Sequence, residues 1–297
     1  MKNNSKHLVL VIVSLLMFTT TFNCQTKDEN EKSEAWFTVK QIYDKVWRID
    51  DHGGDNMYLV EGDEKALLID TGTGVADLKK CVKSITNLPL IIINTHGHPD
   101  HAGGNFQFKE VYAHPEDFEL IGFFCNENYH GGAVKQVIKD SPGLASFILK
   151  DVDNFAPAKL LPVKEGYVFD LGNRKLKVIE VPGHTMGSIC LLDAENKLLF
   201  TGDNNNTLVW LFLDGCLPLE SYMHTLEKQK KFGDFEIMIP GHGEPIDRGF
   251  IDEQIMCIKN ILDGTCQGEP YKTFVDYAKV CSYKRARVAY NPDNLRE

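Results

Sequence analysis

Several absences narrow the reading of this 297-residue chain before any motif is considered. Its eight cysteines, at positions 24, 81, 125, 190, 216, 257, 266 and 281, include no C-x-x-C pair. That leaves no cysteine-based metal or redox motif to follow. Without Cys24 the count is odd, so a full disulfide framework is not expected. Most of the rest read as small buried hydrophobes, with room for one disulfide if the protein is exported. Basic residues are outnumbered: 32 Lys and Arg stand against 42 Asp and Glu, for a formal charge of -10. Such a chain is a poor partner for nucleic acid without a local basic patch. The one notable basic run, Lys284-Arg285-Ala286-Arg287, lies in an alternating strand-like segment. Internal repeats are lacking, and no domain linker follows residue 36.

A membrane span is missing too. The apolar run from Leu8 to Phe18 is eleven residues with one Ser, too short to cross a bilayer comfortably. Lys2 and Lys6 precede it, which makes residues 1–23 an export signal. Thr21-Phe22-Asn23-Cys24 resembles a bacterial lipobox, although Asn23 stands where a small residue is usual. Residues 24–35 are polar and of tether composition. A lipid on Cys24 would hold the domain at a membrane surface, periplasmic or anchored as a lipoprotein, without spanning it. Removing the signal, which holds two lysines and no acid, takes the formal charge from -10 to -12.

What the chain does have is histidine in one place. Thr95 to Gly104 reads T-H-G-H-P-D-H-A-G-G, with His96, His98, Asp100 and His101 inside six residues. The stretch follows Leu90-Ile91-Ile92-Ile93, a buried-strand pattern. A strand running into such a loop sets imidazoles at a sheet edge, and imidazole nitrogen with carboxylate oxygen suits zinc. Three more candidates follow short apolar runs: His184 in V-P-G-H-T-M-G-S, Asp203 in L-L-F-T-G-D-N, and His242 in I-M-I-P-G-H-G-E-P. Each is flanked by Gly, which permits the tight backbone of a strand-end loop.

The H-x-H-x-D-H run, the later His, the Gly-Asp and the Gly-His-Gly together resemble the metallo-β-lactamase superfamily of metal-dependent hydrolases. L-L-I-D-T-G-T-G, with Asp70 at a strand end, matches as well. The resemblance covers residues 36–297. It implies an α/β fold of the α+β kind: a four-layer αββα sandwich of two mixed β-sheets with outer helices and the metal site at the sheet edge. It also implies two zinc ions, with iron or manganese as alternatives. His96, His98 and His184 would hold the first, and Asp100, His101 and His242 the second, with Asp203 bridging. A metal-bridging hydroxide would attack the carbonyl of an ester, thioester, lactone or amide in a small molecule. Asp100 would orient it and accept a proton, so Asp100 and Asp70 are the catalytic candidates. Asp70 would fix a ligand histidine from behind, or else serve only as a turn-former.

Substrate is less legible. A bridging Asp203 is closer to thioesterase and lactonase branches than to true β-lactamases. The lactonase branch places Tyr three residues on, where this chain has Asn206. An exported β-lactamase and a non-catalytic metal-binding module are the alternative readings. The sequence is silent on oligomeric state.

The rest of the chain reads as short strands and helices. Strands are expected over Val46–Ile49, Asn56–Glu61 and Ala66–Ile69, with helices over Ala76–Ile85, Pro218–Phe232 and Gln254–Leu262. Val280 to Tyr290 alternates in part. Residues 114–157 read as a helical lid insertion, with helical runs near 115–124 and 132–150 flanking Tyr129-His130-Gly131-Gly132. They either pack as a plain hairpin on the core or wall the metal mouth with aromatics.

If Cys24 carries lipid, the mature protein partitions into detergent and Cys24→Ala moves it to the aqueous phase. A wild-type protein already soluble in that assay, with an N-terminus elsewhere, rules the anchor out.

Overall fold

The computed structural model describes residues 36–140, 142–149, 155–273 and 277–296. The export signal over 1–23, Cys24 and the tether to residue 35 lie outside the described residues. No helix among the described residues is long and apolar enough to cross a membrane.

The first half builds a seven-stranded mixed sheet in chain order. Strands β1 (Phe37–Tyr43), β2 (Val46–Asp51), β3 (Asn56–Glu61) and β4 (Ala66–Ile69) form an antiparallel meander. Strands β5 (Leu90–Ile93), β6 (Glu110–Ala113) and β7 (Lys159–Pro162) extend it in parallel. Parallel neighbours need crossovers. Helix α1 (Leu78–Ile85) supplies the first; its N-cap Asp77 accepts the Lys80 N–H, satisfying an otherwise orphaned donor. The four-residue α2 (Pro99–Ala102) follows β5. Helices α3 (Phe118–Phe124) and α4 (Glu127–Asp140) lie between β6 and β7.

The second half continues with β8 (Val168–Asp170), β9 (Lys175–Glu180), β10 (Ile189–Asp193), β11 (Leu198–Gly202), β12 (Leu208–Leu211), β13 (Ile237–Pro240) and β14 (Ile246–Asp247). All but β12 form a six-stranded mixed sheet ordered β14-β13-β11-β10-β9-β8. Helices α5 (Leu219–Gln229) and α6 (Phe250–Leu262) cover its outer face.

Alternation along the strands assigns each side chain to a layer. Tyr58, Val60, Leu67 and Ile69 point between the sheets, where they meet Phe169, Val178, Leu191 and Phe200. Their neighbours Met57, Leu59, Ala66 and Leu68 point outward onto Leu78 and Val82 of α1. Ile179, Cys190, Leu192, Leu199 and Met238 point outward from the second sheet onto α5 and α6. Strands buried on both faces read as unbroken apolar runs rather than alternating ones, as Leu90-Ile91-Ile92-Ile93 does. The result is the four-layer αββα sandwich.

Two details differ from the sequence reading. Val280 to Tyr290 is not one strand. It belongs to a hairpin of β16 (Tyr277–Tyr283) and β17 (Ala286–Tyr290), turned at Lys284-Arg285, where Lys284 takes a positive φ of 52°. With β12 and β15 (Glu269–Lys272) this hairpin forms a third, four-stranded sheet, whose Cys281, Ala286 and Val288 pack on α6. In the 114–157 segment the break falls at Cys125-Asn126, so Tyr129 to Gly132 lie inside α4. The Asn126 side chain caps the helix by accepting the Tyr129 N–H at 3.0 Å, and the helix ends at Asp140, before Pro142. Cys266 and Cys281 form a disulfide, within the room the sequence left for one. Cys125, Cys190, Cys216 and Cys257 are buried thiols and Cys81 is half-buried.

One buried ion pair ties the halves together. Arg174, in the turn between β8 and β9, gives Nε to Asp193 Oδ2 at 2.8 Å and Nη1 to the Asp44 carbonyl at 3.1 Å. Removing the guanidinium leaves the Asp193 side chain, which has no accessible surface, to the Asn196 amide. Arg174→Met is expected to lower the unfolding free energy by about 3–5 kcal/mol, read by urea denaturation. A loss under about 1 kcal/mol would mean that Asp193 finds a substitute donor.

Candidate metal centre

Strand ends deliver every candidate ligand to one edge of the two sheets. His96 follows β5, and His98 caps α2 in an extended conformation with Pro99 at the first helical position, where Pro is pre-organised. His184 lies in the turn between β9 and β10. Asp203 directly follows β11 and His242 follows β13. Gly241 must be glycine here: a Cβ would come within 2.5 Å of Asp203 Oδ1 and 2.6 Å of His101 Cε1.

The seven predicted side chains meet. Their ligand atoms fall into three overlapping groups, each within 4.8 Å: His96, His98 and His184; His96, His101 and Asp203; and Asp100, His101 and His242. His98 Nδ1 faces His184 Nε2 at 2.8 Å, and His101 Nε2 faces His242 Nε2 at 3.3 Å. Asp203 spans the groups, with Oδ1 at 3.2 Å from His101 Nε2 and Oδ2 at 3.4 Å from His242 Nε2 and 3.5 Å from His184 Nε2. Asp100 Oδ2 is 3.4 Å from His242 Nε2.

The ring nitrogens turned away from this centre are held by acceptors. His184 Nδ1 donates to the Trp210 carbonyl and His242 Nδ1 to the Gly54 carbonyl, both at 2.7 Å. His101 Nδ1 donates to Asp70 Oδ2 at 3.0 Å. Thr95 gives its hydroxyl proton to the same Asp70 oxygen at 2.8 Å, so its oxygen accepts from His96 Nδ1 at 3.1 Å. Asp70 thus orients one histidine directly and a second through Thr95, while its Oδ1 holds the Thr95 N–H. With the outer nitrogens protonated, Nε2 of His96, His101, His184 and His242 presents a lone pair to the centre. That is the tautomer metal ligation needs.

Charge in the centre is balanced for a cation. Burial, reinforced by His101, holds His96 well below the usual imidazole range; burial, with His184 adding, pushes His98 down to about 3. Burial also disfavours charge on His101 and His242, but Asp203 and Asp100 overcome it and raise both. Against the same burial, these two histidines draw Asp203 well down and Asp100 down to about 2. His96 Nε2 and Asp203 Oδ1 are buried without a hydrogen-bond partner among the described residues. Orphaned donor atoms of this kind, with nitrogen and carboxylate ligands around them, fit divalent transition metals.

Residues that sequence reasoning passed over complete the site. Asp117 clamps two loops at once: Oδ2 accepts from Gly97 N–H and the Thr185 hydroxyl, and Oδ1 from Gly187 N–H, at 2.7–2.9 Å. Local sequence hides this role, since Asp117 in H-P-E-D reads as a helix cap. Asn204 and Asn206 accept the backbone N–H groups of His184 and His242 at 3.3 and 3.2 Å. Asp55 lies buried, and burial, with Asp51 beside it, raises its carboxyl well above the usual range. From the inserted helices, Phe124 meets His98 edge-on with ring centroids 6.4 Å apart, and Tyr129 meets Phe124 edge-on at 5.2 Å.

Comparison with known proteins agrees with this geometry. The sequence profile of the metallo-beta-lactamase superfamily matches residues 50–242. An acyl-coenzyme A thioesterase of Homo sapiens is 30% identical over 232 residues, covering 70% of this chain and 81% of that protein. An atrochrysone carboxyl ACP thioesterase of Aspergillus fumigatus is 27% identical over 199 residues, covering 65% of this chain and 52% of its own length. Among solved structures, a metallo-beta-lactamase from Pontibacter korlensis superposes with a TM-score of 0.54 at 20% identity. It covers 75% of this chain and 99% of that one, a likeness of fold alone.

If Asp117 positions the loops of His96, His98 and His184, Asp117→Ala should weaken metal binding there by about 10–100-fold. Elemental analysis after dialysis against a chelator checks this: wild type should keep about two ions per chain and the variant fewer. Equal retention would show that the loops hold their shape without the clamp.

Proposed function

Because the chain belongs to the metallo-β-lactamase superfamily, we propose that it is a metal-dependent hydrolase acting on acyl thioesters. The observation that carries the reading is Asp203, whose two oxygens reach His101 and His242 on one side and His184 on the other. A carboxylate so placed can join two metal positions: His96, His98 and His184 on one side, Asp100, His101 and His242 on the other. Divalent ions held there, zinc first with iron and manganese as alternatives, would supply hydroxide at neutral pH and draw charge from a carbonyl oxygen.

The chain's own groups account for the rest. Asp100, held ionised, is placed to accept the proton that water loses as its oxygen adds to the carbonyl carbon. Asp70 and Thr95 keep two imidazoles from rotating. With the seven side chains of the centre taken up as ligands or proton acceptors, none of the described residues there is left to act as a strong acid toward a leaving group. That favours a thioester, since a thiolate with an ordinary pKa of about 8.5 departs without prior protonation and an amide nitrogen does not. Water adds, the C–S bond breaks, and carboxylic acid and thiol result. The thioesterase relatives support this class. We further infer that the protein acts outside the cytosol, held at a membrane surface through Cys24. The Cys266–Cys281 disulfide supports export, since disulfides persist in oxidising compartments.

Turnover on a panel of acyl thioesters, esters, lactones and β-lactams tests the class, with thioesters expected to lead. A β-lactam or lactone turned over faster than every thioester would overturn it. Asp203→Ala should keep its fold by circular dichroism and lose about 10²-fold or more in kcat on the best substrate, as expected when an electrostatic stabiliser is removed. Near wild-type kcat with both metals bound would show that Asp203 joins nothing.

A further inference from the structure

The start of β3 is strapped to the loop that carries His242. Asn56 gives its backbone N–H to the Gly241 carbonyl at 2.7 Å and its side-chain amide to the Gly243 carbonyl at 2.9 Å. Gly54 offers its carbonyl to His242 Nδ1 at 2.7 Å. Asp55 lies between these tethers with a side chain that water does not reach: the residue is 2% exposed. Neither carboxylate oxygen has a hydrogen-bond partner among the described residues.

A carboxylate in that state needs a counter-charge. Gly54 and Asn56, its two chain neighbours, both bond the loop of His242, so Asp55 stands behind the second metal position, and the charges that act on it are those of Asp51, His101, Asp100 and His242. Asp51 cannot serve, being an acid already supplied with donors by the Trp36 indole, the Thr73 N–H and the Thr73 hydroxyl. The other three are the side chains of the second metal position. In the three ligand groups, Asp100 and Asp203 are the only carboxylates, which leaves two divalent ions incompletely neutralised. Asp55 is not a member of any group, so direct ligation does not fit its placement.

We propose that Asp55 is the outer counter-charge of the cation held by Asp100, His101 and His242, acting across the space behind these ligands rather than as a ligand. This rests on the metal assignment above and not on the choice of substrate. The side chain has two effects of opposite sign. In the metal-free chain a buried carboxyl without a partner costs the fold stability; in the loaded chain its charge tightens the second position.

Asp55→Asn keeps the shape and removes the charge. Competition with a chromophoric chelator, using zinc alone, should show the second equivalent bound about 10–100-fold more weakly and the first unchanged. The metal-free variant should melt at or above the wild-type temperature. Asp55→Glu, which keeps the charge, should recover part of the affinity. A second equivalent within twofold of wild type, or both equivalents weakened alike with a lower metal-free melting temperature, would overturn the inference. So would failure of both variants to fold under saturating zinc, which would mark Asp55 as structural. A wild-type chain that takes only one zinc overturns the two-metal reading along with it. Two zincs in the wild type with an unaffected variant overturn this inference alone.

Discussion

Two ring nitrogens that face each other in a protein interior cannot both keep a bare lone pair, and this chain arranges that encounter twice. His98 Nδ1 points at His184 Nε2, and His101 Nε2 points at His242 Nε2. Something positive has to stand between them. At the first pair a neutral His98 can give its Nδ1 proton to His184 Nε2, or both nitrogens can turn to a metal; burial disfavours an imidazolium there, and no acid is among the closest ligand atoms. At the second pair, Asp100 and Asp203 already favour positive charge. The two halves therefore offer different electrostatics, a neutral three-imidazole pocket beside an acid-rich one, joined at Asp203.

The surrounding fold keeps the conflict from relaxing. Asp70 at the end of β4 adopts a positive φ of 65°, a region most residues avoid, and its carboxylate reaches both His101 and Thr95. Asp117 locks the loops after β5 and β9 to each other. Deeper in, Asn205 is held by Gln229 of α5 and Gln254 of α6, both fully buried. These contacts make a polar layer behind the ligands, and a fully satisfied layer of this kind is rigid.

The ligands were legible in the sequence because metal chemistry demands specific side chains, and strand ends with glycine mark where they sit. The layer order was also legible once the family resemblance was in hand, since β3, β4 and β5 are apolar on both faces. Asp70 could be named but not its double reach, because Thr95 reads as an ordinary loop residue. Asp117 and Asp55 stayed hidden: an acidic residue beside a helix start or a strand start has a commonplace local explanation, and only tertiary contacts reveal what else it touches. The turn at Lys284-Arg285 was missed because neither residue is a usual former of a left-handed turn. The break at Asn126 was missed because the glycines five residues later are the louder signal.

The carbonyl that holds His184 belongs to Trp210, in β12, and β12 is a strand of the third sheet rather than of the sandwich. Its ladder partner is β17, near the C-terminal end of the described chain, and β17 pairs with β16, which carries one cysteine of the disulfide. The region matched by the superfamily profile stops at residue 242. It therefore contains all seven ligand residues and β12, but not the three strands that complete the sheet of β12. For this chain the recognisable unit and the portable unit are different lengths, and a catalytic core excised at the family boundary would carry His184 without the ladder that anchors its partner carbonyl.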